Sequence, residues 1–246
     1  MDKTKLTQNE LNAETTDSRW KNLYVIGGAA ALASAALAIT EVIIETSGSS
    51  LTSSPTTVLA WFTLLQSNRL LGLALLGVFE SAFFPISVLM YLAFYPALRR
   101  TSISLTLSAF FINLIATAAY LSTNLAFAML SLSNQYATAT TDALRSMLLA
   151  AGQAMLATSQ GTGFNMSFVL GSIAGLVISV VMLKSKTFNK PTAIVGIIGN
   201  TLGIPISILG PIVGAISGLF LLAWIILIGV RFLRLAKSIT SLPKSP

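Results

Sequence analysis

The sequence predicts an all-α fold: a polytopic membrane helix bundle of six transmembrane helices with two short outer amphipathic helices. Three observations carry this. First, only 9% of the 246 residues are charged and 54% are hydrophobic, with a mean hydropathy of +0.80, whereas a soluble domain carries about 25% charged residues. Second, six stretches come close to the roughly 20 apolar residues that a helix needs to cross a bilayer. Third, the basic residues alternate between the connections in the way that sets orientation in a membrane.

Residues 1–19 are polar, of mixed charge and lack the apolar run of a cleavable signal, so they read as a flexible cytoplasmic tail. The six-helix transmembrane domain covers 20–237, and 238–246 form a short cytoplasmic tail. The six spans are Leu23–Ile44, Leu70–Leu92, Ile103–Leu125, Phe164–Leu183, Ala193–Leu209 and Ile212–Val230. Gly210-Pro211 separates the last two, because about 38 residues are too many for one crossing. Trp20 fits an interfacial anchor at the inner surface and Trp61 one at the outer surface.

Charge sets the orientation. Of the 15 Lys and Arg residues, only Arg69 and Arg145 lie in the first, third and fifth connections. The rest precede the first span (Lys3 to Lys21), follow the second (Arg99, Arg100), follow the fourth (Lys184 to Lys190) or follow the sixth (Arg231 to Lys244). Both termini are therefore expected in the cytoplasm, and the protein in a cell membrane, the inner membrane of a bacterium or archaeon. The net charge of +7 is topogenic on this reading, and no nucleic-acid partner is expected.

Two outer connections exceed what a turn needs. Glu45–Asn68 contains Val58, Trp61, Phe62 and Leu65, and Ser131–Gly163 contains Leu144, Met147, Leu148, Ala151 and Met155, each an apolar stripe at helical spacing. They read as short helices in the outer interface or over the bundle. The alternative is a lid over an outward-facing cavity. Small residues mark packing faces: Gly27, Ala31, Ser34 and Ala38 in the first span, Ser167, Gly171, Gly175 and Ser179 in the fourth, Gly196, Asn200 and Gly203 in the fifth.

Among the polar residues inside the spans, Glu80 stands out. An ionised acid at mid-bilayer costs on the order of 2.5–3.5 kcal/mol, so it must face the bundle, stay protonated or find a partner. Gly77, Glu80, Ser81, Phe84 and Ser87 share a stripe, and Pro85 removes a helical hydrogen bond beside it. The candidate intramembrane polar site is Glu80, Asn113, Tyr120, Asn124 and Asn200, read either as interhelical hydrogen bonding or as a polar pathway for a small solute. Glu41 and Arg69 are a candidate outer pair.

Several chemistries are excluded. The chain has no Cys and no His, which removes thiol, disulfide, serine–histidine, zinc and haem chemistry. Its only Asp residues are Asp2, Asp17 and Asp142, none inside a span, so no intramembrane aspartyl dyad exists. No cofactor and no metal site are expected.

The order of elements also resembles a known family. The boundary Ala97-Leu98-Arg99-Arg100, the loop end Gly161-Thr162-Gly163, the exit Met182-Leu183-Lys184-Ser185-Lys186, the re-entry from Pro191 to Gly196, Trp224 and the exit Arg231-Phe232-Leu233-Arg234 carry the likeness. It resembles the prokaryotic six-helix integral membrane proteins catalogued only as a domain of unknown function, over about Trp20–Lys237. That resemblance implies a six-helix fold and brings no activity or site residues. The expected function is a non-enzymatic integral membrane protein that interacts with membrane lipids, a small solute or a membrane partner. The alternative is a small proton-coupled secondary transporter or channel-like protein using Glu80, and a third is a cofactor-free intramembrane enzyme.

Overall fold

In the computed structural model, residues 18–48, 55–159, 161–205 and 210–240 are described. Most of the two expected tails, 1–17 and 241–246, and the end of the fifth span, 206–209, lie outside them. The described residues are helical, without strands. A 3₁₀ turn, Ser18–Trp20, leads into α1 (Lys21–Gly48). Then follow α2 (Val58–Ser67), α3 (Arg69–Leu75), α4 (Val78–Thr123), α5 (Ala126–Thr138), α6 (Asp142–Ser159), α7 (Thr162–Lys184), α8 (Lys190–Gly203) and α9 (Pro211–Thr240). Four stretches are long and apolar enough to cross a membrane: Lys21–Ile44, Val78–Thr138, Asp142–Lys184 and Ile212–Ile239.

Helix α4 has 46 residues. A straight helix of that length would measure about 70 Å, more than twice the hydrocarbon thickness of a bilayer. It is not straight. Ser102 is extended (φ −163°, ψ 102°) and divides it into two arms. The Ser102 hydroxyl accepts from the Leu105 amide at 3.4 Å, the N-cap geometry that starts a helix. The chain therefore turns through a single capping residue.

The chain forms two compact units. The first is drawn from Met1–Ala35, Pro85–Ile115 and Val169–Pro246. Its aromatic core gathers Tyr24 of α1, Phe94 of α4, Phe188, and Trp224 and Phe232 of α9, with the Phe94 and Phe232 rings 5.1 Å apart. The small-residue face of α1 lets backbones approach: Gly27 lies against Ala93, and Gly28 against Leu233. Trp20 meets Tyr95 edge-on and carries the Arg99 guanidinium 5.2 Å from its ring centre.

The second unit comprises Ala36–Phe84 and Ala116–Phe168. Thr57 caps α2 through its hydroxyl, and Asn68 caps α3 through its side-chain oxygen. Val58, Trp61, Phe62 and Leu65 of α2 pack with Met129 of α5, and Leu149, Met155 and Leu156 of α6 close over them. The Ser133 hydroxyl donates to the Phe62 carbonyl at 3.0 Å, and Gln66 Nε2 donates to Ser133 Oγ at 2.9 Å.

Several expectations change. The second span is not one helix from Leu70: it breaks at Leu76–Gly77, where Gly77 takes φ +76°, a left-handed value that costs an L side chain but not glycine. The third span stops at Thr123, and 126–138 form a separate helix, because Asn124 turns the chain and its Oδ1 accepts from the Ala126 amide at 3.1 Å. Trp61 is only 8% exposed, so it belongs to the core of its unit rather than to an interface. The packing face of α6 is rotated by about one residue from the expected stripe: Leu148 is buried, while Leu144 and Met147 are 38% and 61% exposed. Gly152 allows the rotation, since it lies against Val58 and Phe62 where a side chain would not fit. At the other end of the chain, α9 runs to Thr240, past the expected end at Val230, and α8 ends at Gly203.

Candidate functional site

Three of the singled-out residues meet in the second unit. Glu80 lies in the first turn of α4, three residues after the Gly77 N-cap. Tyr120, on the second arm of the same helix, donates its hydroxyl to Glu80 Oε2 in a short hydrogen bond. The same hydroxyl lies 3.2 Å from the Gly77 carbonyl. Asn124 completes the set: its Nδ2 reaches the Leu76 carbonyl (3.1 Å), the Gly77 carbonyl (3.0 Å) and the Tyr120 oxygen (3.2 Å).

The geometry follows from the helix break. Ending α3 frees the Leu76 carbonyl, while the Gly77 carbonyl opens α4 and already accepts from the Ser81 amide and the Ser81 hydroxyl, each at 3.1 Å. Asn124 and Tyr120, one turn apart on the facing arm, supply donors to them. A Cβ at position 77 would collide with the Tyr120 hydroxyl and come within 2.7 Å of Glu80 Oε2. Glycine is thus needed there for both φ and space. The carboxylate of Glu80 sits where the partial positive charge of a helix N-terminus is felt, an interaction of about 0.3–1 kcal/mol in exposed cases. That field and the Tyr120 donor both stabilise negative charge at this point.

Aromatic rings wall one side. Phe84 stacks on Tyr120 with centroids 4.3 Å apart and planes at 15°, and Phe168 stands edge-on to both rings. Phe164 lies 6.2 Å from Tyr120. Tyr120 is buried and Glu80 half-buried. Thr117, one turn before Tyr120, donates to the Phe84 carbonyl at 3.3 Å. Glu41 of α1 is half-buried in the same unit. Arg69, exposed, is the first residue of α3.

Asn113 and Asn200 belong to the first unit and are not part of this cluster. Asn113 is buried and its Nδ2 donates to Ser87 Oγ at 3.3 Å, joining the two arms of α4 there. Asn200 is buried in α8, where its Nδ2 donates back to the Gly196 carbonyl at 2.7 Å and its side chain fills the space left by Gly175 of α7. The polar pathway expected from sequence thus divides: three of its residues form one cluster, and the other two make separate interhelical contacts.

Sequence reasoning missed the part played by the Leu76 and Gly77 carbonyls and by Phe164 and Phe168. The glycine itself was visible as part of the Glu80 stripe, but a backbone acceptor has no residue signature. Among the described residues no group of three or more acids gathers as a metal site would require. No family model matches this chain, and neither a curated protein nor a solved structure matches it, so the site is read from its own geometry.

Proposed function

We propose that the chain is a non-enzymatic, six-span protein of the cell membrane with both termini cytoplasmic, and that Glu80 is the proton-carrying group of a small secondary transporter or channel-like path. Six crossings are supported by the break at Ser102, which turns the long apolar stretch after Val78 into two arms, and by the basic connections already described. Helix α8, with 14 residues, is short for a crossing, and the chain continues through Ile204 and Pro205. The second span is interrupted at Gly77. Interrupted helices are what secondary transporters use to place binding groups at mid-membrane.

The observation that carries the reading is the shared hydroxyl. Tyr120 has one proton to donate and two acceptors, Glu80 and the Gly77 carbonyl at the helix break. With Glu80 charged, the carboxylate is the stronger acceptor. With Glu80 protonated, the hydroxyl turns to Gly77. A proton on one side chain then changes the bonding of the backbone where the span is interrupted.

The test uses proteoliposomes with a trapped pH dye and an imposed potassium-diffusion potential, with and without a panel of small organic solutes. Proton entry is expected with the native chain and is lost with Glu80→Gln, which keeps an acceptor for Tyr120 and melts within a few degrees of the native protein. Equal proton entry in the two sinks the proposal. A second reading has its own observation: Tyr120 and Asn124 supply donors to both carbonyls at the break, so the cluster also works as a structural clasp. On that reading Glu80→Gln is silent in transport, and Asn124→Ala alone lowers the melting temperature.

A further inference from the structure

Among its described residues, 18–35, 85–115, 169–205 and 210–240, the first unit carries cations and no Asp or Glu. Its Lys and Arg residues are not scattered. Three chain segments that bear them are pinned around Thr187. The Thr187 hydroxyl donates to the Ala97 carbonyl at 3.0 Å, two residues before Arg99-Arg100. Arg231 Nε donates to the Thr187 carbonyl at 2.6 Å, bringing in the start of the Arg231–Lys237 run. Thr187 itself lies between Lys184 and Lys190.

The anchoring is firm. Phe188, next to Thr187, is buried and packs against Phe94 at 5.7 Å and Phe232 at 5.8 Å. The short connection between α7 and α8 is therefore held by a ring in the aromatic core and by hydrogen bonds on both sides of it. Arg231 is half-buried, and its Nε bond fixes the plane of the guanidinium. A guanidinium held in one plane is suited to a phosphate, which it meets with two parallel N–H bonds. Lys184, Lys190 and Arg234 are exposed around it. Charges of one sign held together by the fold repel one another, and the described residues of this unit include no Asp or Glu.

We propose that this cluster is a site for the headgroup of an anionic phospholipid, recognised through its phosphate by Arg231 and through its net negative charge by Lys184, Lys190 and Arg234. Its assignment to the cytoplasmic leaflet rests on the topology proposed above; the binding itself does not. Basic clusters beside membrane helices attract acidic lipids by about fivefold in affinity per charge near the surface.

The test is native mass spectrometry of the full chain in neutral detergent, titrated with phosphatidylglycerol, phosphatidylcholine or inorganic phosphate. Retention of phosphatidylglycerol is expected, with phosphatidylcholine and inorganic phosphate at least tenfold weaker. The double variant Lys184→Gln/Lys190→Gln, confined to exposed side chains, is expected to weaken phosphatidylglycerol about 25-fold. Arg231→Lys, which keeps the charge and loses the planar fork, is expected to weaken it severalfold. Equal binding of the two phospholipids overturns the proposal, as does a double variant that binds like the native chain. Inorganic phosphate binding as tightly as phosphatidylglycerol also overturns it, since the ligand would then be the free anion. None of these results depends on proton flux or on Glu80.

Discussion

Two regions solve the same problem, an asparagine inside an apolar helical protein, in opposite ways. In the second unit, Asn124 lies beside a helix break, and each hydrogen bond there has a named partner: two backbone carbonyls, the Tyr120 oxygen and the Ala126 amide. In the first unit, Asn200 lies within a continuous helix, bonds its own backbone and fills the space beside a glycine. Around it, polarity is only partly satisfied. Ser179 Oγ and Trp224 Nε1 are buried against Gly196 and make no hydrogen bond within the described residues. The first arrangement gains from directed bonds; the second gains from close packing and tolerates unpaired donors. In membrane helix bundles, interhelical hydrogen bonds average well under about 2 kcal/mol, so neither arrangement would be out of place in one.

Substitutions separate them. The largest effect is expected at Gly77→Ala, which forces an L residue to φ +76° and drives a methyl group onto the Tyr120 hydroxyl. Strain and overpacking together come to about 3–5 kcal/mol, read as a large drop in melting temperature or as failure to fold in detergent. Gly196→Ala is expected to cost about 2 kcal/mol, because the methyl group meets the Trp224 ring and Ser179 Oγ without a backbone penalty. Tyr120→Phe removes the hydroxyl that Glu80 and Gly77 share and is expected to cost about 1–3 kcal/mol. Ser179→Ala is expected to change the stability by less than about 0.5 kcal/mol, because the deleted hydroxyl has no partner to lose. Should the last two variants prove equally damaging, the distinction between the regions fails.

What the sequence revealed and what it hid have physical causes. Apolar runs and small-residue stripes located α1, both arms of α4, α7 and α9, because burying or facing hydrocarbon leaves a compositional mark. The stripe Val58, Trp61, Phe62, Leu65 was visible as one face of a helix, and the structure buries all four. Composition could not tell burial against α5 and α6 from burial in a lipid interface, so Trp61 was misplaced. Helix α5 was hidden because Leu125 to Leu130 is apolar enough to continue a span, and only Asn124, in the role of a cap, separates it. The join of Glu80, Tyr120 and Asn124 was half readable, since all three were exceptional in apolar surroundings. Tyr120 and Asn124 also share an acceptor, the carbonyl of one left-handed glycine, Gly77, which no side-chain pattern announces.

The single extended residue at Ser102 also has a consequence for chain length. Consecutive residues of a helix point about 100° apart around its axis. One residue added or removed next to this capping serine and taken up by the second arm would swing Asn113, Thr117, Tyr120 and Asn124 away from their partners together. The stretch from Arg100 to Ile103 can therefore accept a change of side chain far more readily than a change in the number of residues, and the register of both arms is set at that one corner.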